Sequence, residues 1–218
     1  MSQAAPRQSE VKDHYRQLAS EYSERANPTC EAVYEKLARR FLSGRGSILE
    51  LGGGSSELLE RLGVEKPVAC DVSEAMLRAR RHAGDGATRL VVAAGERLPF
   101  ESGRFDGVLC VNVLEHVADV PAVLAEVARV LRPGGLFLAI TPNGNWETLL
   151  DLAERWRLKI PEGPHAFLKT ARLAEVAAPH FRTVEHRTML AFPSGGPRIA
   201  RLIDVFSGCA LLGGGFGA

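Results

Sequence analysis

The 218-residue sequence predicts an α/β domain, a doubly wound and mainly parallel sheet with helices on both faces. Three observations lead there. Short apolar runs alternate five times with amphipathic stretches at close spacing. The first run, Ile48-Leu49-Glu50-Leu51, stops at Gly52-Gly53-Gly54-Ser55-Ser56-Glu57, and Leu58, Leu59 and Leu62 follow at helical spacing, so strand, tight turn and helix succeed one another. The second run, Pro67-Val68-Ala69-Cys70, ends at Asp71. Each of the first two strands thus brings a carboxylate to its carboxyl end, where open α/β sheets bind ligands.

The elements follow in order. Residues 11–42 carry an apolar stripe with Arg and Glu between, one or two helices broken near Asn27-Pro28. Strand one is expected over Ser47 to Leu51 and its helix from Ser55 to Leu62. Strand two is Lys66 to Asp71. Ser73 is placed to cap a helix reaching His82, with Glu74 in its first turn. After the Gly84-Asp85-Gly86 turn, strand three spans Thr88 to Ala93. A loop from Gly95 to Arg104 centres on Leu98-Pro99-Phe100. Strand four is Phe105 to Val113. A helix runs from Pro121 to Leu131, is ended by Pro133-Gly134-Gly135, and strand five is Leu136 to Thr141. Beyond Pro142 the pattern fades. Trp146 to Leu158 has helical character, Pro161 to Pro164 is a loop, Thr170 to Ala178 is a short helix, His180 to Phe192 is extended, and Pro197 to Phe206 is a further helix candidate. The tail from Gly208 to Ala218 is glycine-rich and offers no final strand.

A chain of this length suits one domain, large enough to bury about 70% of its unfolded surface. Residues 1–45 form an N-terminal helical lid segment, 46–145 the ligand-binding core, and 146–218 a substrate-side segment with the remaining sheet, all in the same domain. The net charge of +1 gives no electrostatic case for nucleic acid or an anionic membrane. Cys30, Cys70, Cys110 and Cys209 form no CxxC pair, and Cys70 and Cys110 fall inside predicted strands as buried thiols. Met1 to Glu10 lacks a signal-peptide core, and no apolar run reaches the ~18 residues of a membrane-spanning helix. A reduced, cytoplasmic protein without stable membrane insertion is expected.

A glycine turn after a strand serves two chemistries. Nicotinamide dehydrogenases need G-x-G-x-x-G. Gly52 and Gly54 fit, but Glu57 takes the last position, where a carboxylate would repel a pyrophosphate. The alternative pattern is an acid followed by G-x-G-x-G; Glu50, Gly52 and Gly54 fit it and Ser56 replaces the last glycine. Further segments decide between them. Asp71-Val72-Ser73-Glu74-Ala75-Met76-Leu77, Glu96-Arg97-Leu98-Pro99-Phe100 with Arg104-Phe105-Asp106, Val113-Leu114-Glu115-His116-Val117 and Leu131-Arg132-Pro133-Gly134-Gly135 occur in series. Together they resemble the class I S-adenosylmethionine-dependent methyltransferases, including the quinone-biosynthesis O- and C-methyltransferases, over residues 11–141.

The resemblance implies a Rossmann-like fold, S-adenosyl-L-methionine as cofactor, and methyl transfer to O, N or C of a small-molecule acceptor. It implies that Glu50 and the backbone of Gly52 and Gly54 hold the amino-acid portion of the cofactor, that Asp71 accepts both ribose hydroxyls, and that Met76 packs beside the adenine. The family often places an acid where this chain has Ala94, so the adenine contact passes to Gly95 backbone or to Glu96. Asn112 would flank the sulfonium. Tyr15 and Tyr22 are either a lid over the site or ordinary helix packing.

His116 is the catalytic candidate, as a general base or acceptor contact. One branch of the family, with E-x-x-E-H and a downstream His, holds a divalent metal. Here Asn112 replaces the first acid, leaving Glu115, His116 and His165 as metal candidates, and Asn is a poorer hard-metal ligand than a carboxylate. A purely structural turn is the third reading. His14, His82, His180 and His186 have no chemical role in this reading. Trp146, Trp156, Phe167 and Phe192 are substrate wall or core. A catalytically inactive cofactor-binding scaffold is the alternative function, on the departures at Ser56, Ala94 and Asn112 and the truncated-looking end. The family usually closes its sheet with two more strands, the last antiparallel; the sequence offers one, so six clear strands are expected.

Overall fold

Alternation along β1 (Ser47–Leu51) builds the core on both faces of the sheet. Ile48 packs on one side with Leu109 and Leu138, and Leu49 and Leu51 pack on the other with Val108, Cys110 and Phe137. All five β1 residues are buried, as a central parallel strand requires. The computed structural model describes residues 6–20, 22, 28–83, 86–142, 164–166, 168–189 and 207–215.

The described elements are α1 (Gln8–Leu18), α2 (Pro28–Leu42), β1, α3 (Leu58–Leu62), β2 (Lys66–Asp71), α4 (Glu74–Ala83), β3 (Arg89–Val92), β4 (Phe105–Val111), a 3₁₀ turn (Leu114–His116), α5 (Val120–Val130), β5 (Leu131–Ile140), α6 (Thr170–Ala177), β6 (Phe181–Met189) and β7 (Ser207–Gly215). They form one seven-stranded sheet in the order β3-β2-β1-β4-β5-β7-β6. The first five strands are parallel, and β7 runs antiparallel to both β5 and β6. One face is covered by α5 and α6 through Val123, Leu124, Val127, Leu173 and Ala177. The other is covered by α2 and α3 through Ala38, Leu42, Leu58 and Leu59. Among the described residues no helix is long and apolar enough to cross a membrane.

Four expectations are corrected. The sheet has seven strands, not six. The glycine-rich tail supplies β7, with Gly213 opposite Leu136 on one side and Thr183 on the other. Backbone ladders on both edges supply hydrogen bonds that need no side chain, and this outweighs the poor strand propensity of glycine. The Pro133-Gly134-Gly135 segment lies inside β5 as an irregularity between Pro133 and Leu136, with Gly134 at φ +76°. The first crossover helix begins at Leu58 rather than Ser55, because Ser55 to Glu57 remain in the turn. Ser73 makes no side-chain cap; its buried hydroxyl has no hydrogen-bond partner, while its backbone N–H donates to Asp71 Oδ1 at 2.7 Å. Trp146, Trp156, Phe167, Phe192, the side chains of His82 and His186, and the helices expected over 146–158 and 197–206 lie outside the described residues.

Candidate functional site

The turn after β1 supplies the floor of a cleft. Gly52 and Gly54 have φ of +68° and +45°, left-handed conformations that side chains resist. A Cβ on Gly52 would run into the Val113 side chain, and one on Gly54 would sit 3.1 Å from Met76 Cε and 3.5 Å from Asp71 Oδ2. Asp71, at the end of β2, clamps the turn from the neighbouring strand: the Gly54 N–H donates to Asp71 Oδ2 at 3.0 Å. Burial pushes the Asp71 carboxyl up to about 6, against the opposing pull of the Ser73, Gly54 and Val72 backbone N–H groups. Ser56, where a third motif glycine would fall, accepts from the Leu58 N–H at 3.2 Å and steadies the start of α3.

Glu50 lies beneath the turn with its side chain only 3% exposed, and Arg80 of α4 meets it at 2.8 Å. Arg80 is itself 1% exposed, reaches Glu60 at 2.6 Å and donates to the Gly53 carbonyl at 3.4 Å. Thr88 adds a hydroxyl donor to Glu60 at 2.6 Å. Burial pushes Glu50 up, opposed by Arg80 and by a hydrogen bond from Ser56. The Glu50 carboxylate is therefore engaged from within the protein. Sequence reasoning missed Arg80, although Met76, Leu77 and Arg80 share the inward face of α4 at i, i+1 and i+4.

On the far side of the cleft, Asn112 follows β4 at φ +52° as the only non-glycine residue with positive φ among those described. Its N–H donates to the Ile140 carbonyl at 2.8 Å and its Nδ2 donates to Tyr34 Oη at 3.1 Å. Burial pushes the Tyr34 phenol well above its usual range, so it stays neutral as the acceptor. His116, in the next turn, has Nδ1 2.8 Å from the Pro164 carbonyl oxygen and Nε2 3.0 Å from Tyr15 Oη. Tyr15 stands edge-on to both His116 and Tyr22. The N-terminal segment thus lies across the site.

Among the described residues no three His, Cys, Asp or Glu side chains are grouped as a metal-ligand set. Glu115 Oε2 accepts from Thr141 at 2.8 Å, both His116 nitrogens face hydrogen-bond partners, and the His116 and His165 ring centroids are 6.4 Å apart and perpendicular. Neither Glu115 nor His165 lines the cleft.

The cleft has a volume of about 460 Å³, within the range of sites for small cofactors. Glu50, Gly52, Gly54, Asp71, Met76, Asn112 and His116 all line it, with Tyr15, Tyr22 and Tyr34. Gly95 and Glu96 line an annex that shares Gly52, Asp71 and His116 with the main cleft. Among the described residues, four carboxylates border the cleft, Glu31, Glu50, Glu57 and Asp71, against one cation, Arg61, which is itself paired with Glu31 at 2.8 Å. Such a lining favours a ligand carrying positive charge. Two left-handed glycines, a strand-end carboxylate and an acidic wall suit S-adenosylmethionine, which combines a ribose diol with sulfonium and ammonium groups.

The family described as "Methyltransferase domain" matches residues 49–139. The ubiquinone biosynthesis O-methyltransferase of Thiobacillus denitrificans is 34% identical over 148 residues, covering 64% of this chain and 63% of that protein. The protein of the same name from Bradyrhizobium is 35% identical over 135 residues, covering 56% and 51%. The chain thus spans less than two thirds of the length of these relatives. A solved Thermotoga maritima protein, described as a SAM-dependent methyltransferase and possible histamine N-methyltransferase, superposes with TM-score 0.72 at 18% identity over 94% of this chain and 99% of that one. The S-adenosylmethionine-dependent methyltransferase of Mesorhizobium loti gives TM-score 0.62 at 18% identity over 83% and 97%. At such identities these two likenesses speak for the fold. The matched domain, these relatives and the series of motifs make this chain similar to the class I S-adenosylmethionine-dependent methyltransferases.

Proposed function

We propose that this chain is an enzyme that transfers the methyl group of S-adenosylmethionine to a small-molecule acceptor. The single observation carrying the proposal is convergence: the glycine turn, the Asp71 carboxylate, Asn112 and His116 border one acidic cleft, although they come from different strand ends. When bound, the cofactor supplies an electrophilic methyl on sulfur. The chain's residues bind, orient and exclude water. Asp71 accepts the ribose hydroxyls, Met76 packs beside the adenine, and Gly95 backbone and Glu96 meet its edge from the annex. Gly52 and Gly54 let the backbone approach the methionine portion. Glu50, locked by Arg80, holds that turn and adds negative potential beneath it. Asn112 flanks the sulfonium, its side chain aimed by Tyr34.

The acceptor is read as a phenol or quinol. The names of the relatives support this, as does a histidine bordering the cleft beside Asn112. The thiols of Cys30, Cys70 and Cys110 support a reducing, cytoplasmic setting. Calorimetry with S-adenosylmethionine and S-adenosylhomocysteine, followed by label transfer to a panel of phenols and quinols, tests the proposal. Micromolar cofactor binding and label in the acceptor are expected. Absence of cofactor binding at millimolar concentration overturns it.

A further inference from the structure

We infer that Tyr15 is a catalytic residue and forms with His116 a proton relay for an acceptor reacting through a hydroxyl; the inference rests on the methyl-transfer reading above. The two residues are 101 positions apart, one on α1 and one in the turn after β4. His116 Nδ1 faces the Pro164 carbonyl at 2.8 Å, and a carbonyl only accepts. Nδ1 therefore carries the proton of the neutral ring, and Nε2 is the bare nitrogen. Nε2 lies 3.0 Å from Tyr15 Oη, so Tyr15 is the donor in that pair. Ring centroids 5.5 Å apart at an interplanar angle of 80° fix the two groups against each other. Both line the cleft, and the Tyr15 oxygen retains acceptor capacity after donating.

The chemistry balances without a metal. The acceptor oxygen bonds to the methyl carbon as the carbon–sulfur bond breaks. The acceptor proton passes to Tyr15 Oη, and the Tyr15 proton passes to His116 Nε2. The positive charge lost at sulfur reappears on the imidazolium, whose Nδ1–H still donates to Pro164, and the proton then leaves to solvent. Glu115 Oε1 is 4.0 Å from His116 Nε2, near enough to favour that cation through space. Among the described residues, His14 and Tyr22 stand beside Tyr15, and His165 beside His116, as further titratable groups facing the pair.

Two measurements test the relay. Long-range ¹H–¹⁵N imidazole spectra of the full chain, recorded without cofactor near pH 8, should show His116 protonated at Nδ1. Tyr15→Phe should move the Nε2 resonance toward that of an unbonded nitrogen and leave Nδ1 in place. Protonation at Nε2 overturns the relay. The second measurement uses catechol as acceptor probe. Tyr15→Phe should lower kcat by about tenfold or more, His116→Gln by about a hundredfold, and the double variant should fall no further than His116→Gln, with cofactor affinity within about twofold throughout. Wild-type kcat in Tyr15→Phe makes Tyr15 a lid only and overturns the inference. Label transfer to histamine and not to catechol overturns the hydroxyl assignment while leaving methyl transfer intact. Failure of the wild type to bind cofactor overturns the methyl-transfer reading itself, a separate failure because the imidazole spectra need no cofactor.

Discussion

Asp71→Asn should separate cofactor binding from fold stability. In the free protein the Asp71 carboxyl is raised from 3.8 to about 6 by burial. At neutral pH the folded chain therefore holds an ionised group in a place that disfavours it. At about 1.4 kcal/mol per unit, that shift corresponds to a penalty on the order of 3 kcal/mol. Asn removes the charge but keeps one acceptor oxygen, so one of the N–H bonds from Gly54 and Ser73 is lost, at about 1–3 kcal/mol. The two effects are comparable, so stability at pH 7.5 should hold or rise slightly. Cofactor affinity should fall about tenfold or more, because a carboxylate accepts two ribose hydroxyls and an amide cannot. The sign of the pH effect follows from the raised value. Below about 3.8 both folded and unfolded carboxyls are protonated and nothing is lost. As pH rises toward about 6 the unfolded chain ionises first, and wild-type stability falls relative to Asp71→Asn. Binding runs the other way. Ribose hydroxyls need the ionised form, so wild-type affinity should fall as pH drops below about 6, approaching tenfold per unit, and the variant should lack this dependence. Calorimetry at pH 5 and 7.5 with parallel urea denaturation checks both. Equal affinity in wild type and variant refutes the ribose assignment, and a pH-independent stability difference refutes the buried-carboxylate account.

Arg80→Ala should strip Glu50 and Glu60 of their cation and leave a buried carboxylate unpaired, destabilising the fold by about 3–5 kcal/mol in urea denaturation. Arg80→Lys should recover only part of this, because one ammonium cannot fork to two carboxylates. Gly54→Val should abolish cofactor binding in calorimetry while the far-UV spectrum stays native, since the new side chain meets Met76 and Asp71 and must adopt φ of +45°. Chelator should leave turnover unchanged, because Glu115, His116 and His165 are not arranged as a ligand set; activity lost to chelator and restored by a divalent ion would reverse that conclusion.

How far the sequence revealed this molecule depended on the range of the interaction. The strands β1 and β2 fell at Ser47–Leu51 and Lys66–Asp71 as read, because their apolar runs are bounded by glycines and an acid and need no distant partner to define them. β7 was missed for the converse reason. A strand containing Gly208, Gly213, Gly214 and Gly215 has little local preference, and only β5 and β6 on its two edges make it one. The site divides in the same way. Gly52, Gly54 and Asp71 announce themselves by position after a strand. Arg80 did not, because Arg78-Ala79-Arg80-Arg81 looks like a solvated face. The helical period was the available signal: Arg80 follows Met76 by four residues and Leu77 by three, both buried, so it had to be buried and paired.

The division bears on the chemistry. A cofactor of fixed structure is met by strand ends, whose positions the sheet dictates and whose residues recur at fixed intervals along the chain. In the proposed reading, an acceptor is met by what lies across the mouth, here α1 and the turn after β4. The hydrogen bond between Tyr15 and His116 has no counterpart in any local spacing, since it depends on how α1 docks. The Pro164 carbonyl that fixes the His116 tautomer comes from yet another segment. Two chains sharing every glycine and acid of the core can therefore present a bare imidazole nitrogen, a protonated one or a metal ligand at the same point. In this chain the two groups that face the His116 ring nitrogens lie outside the matched residues 49–139, a tyrosine before them and a carbonyl after them.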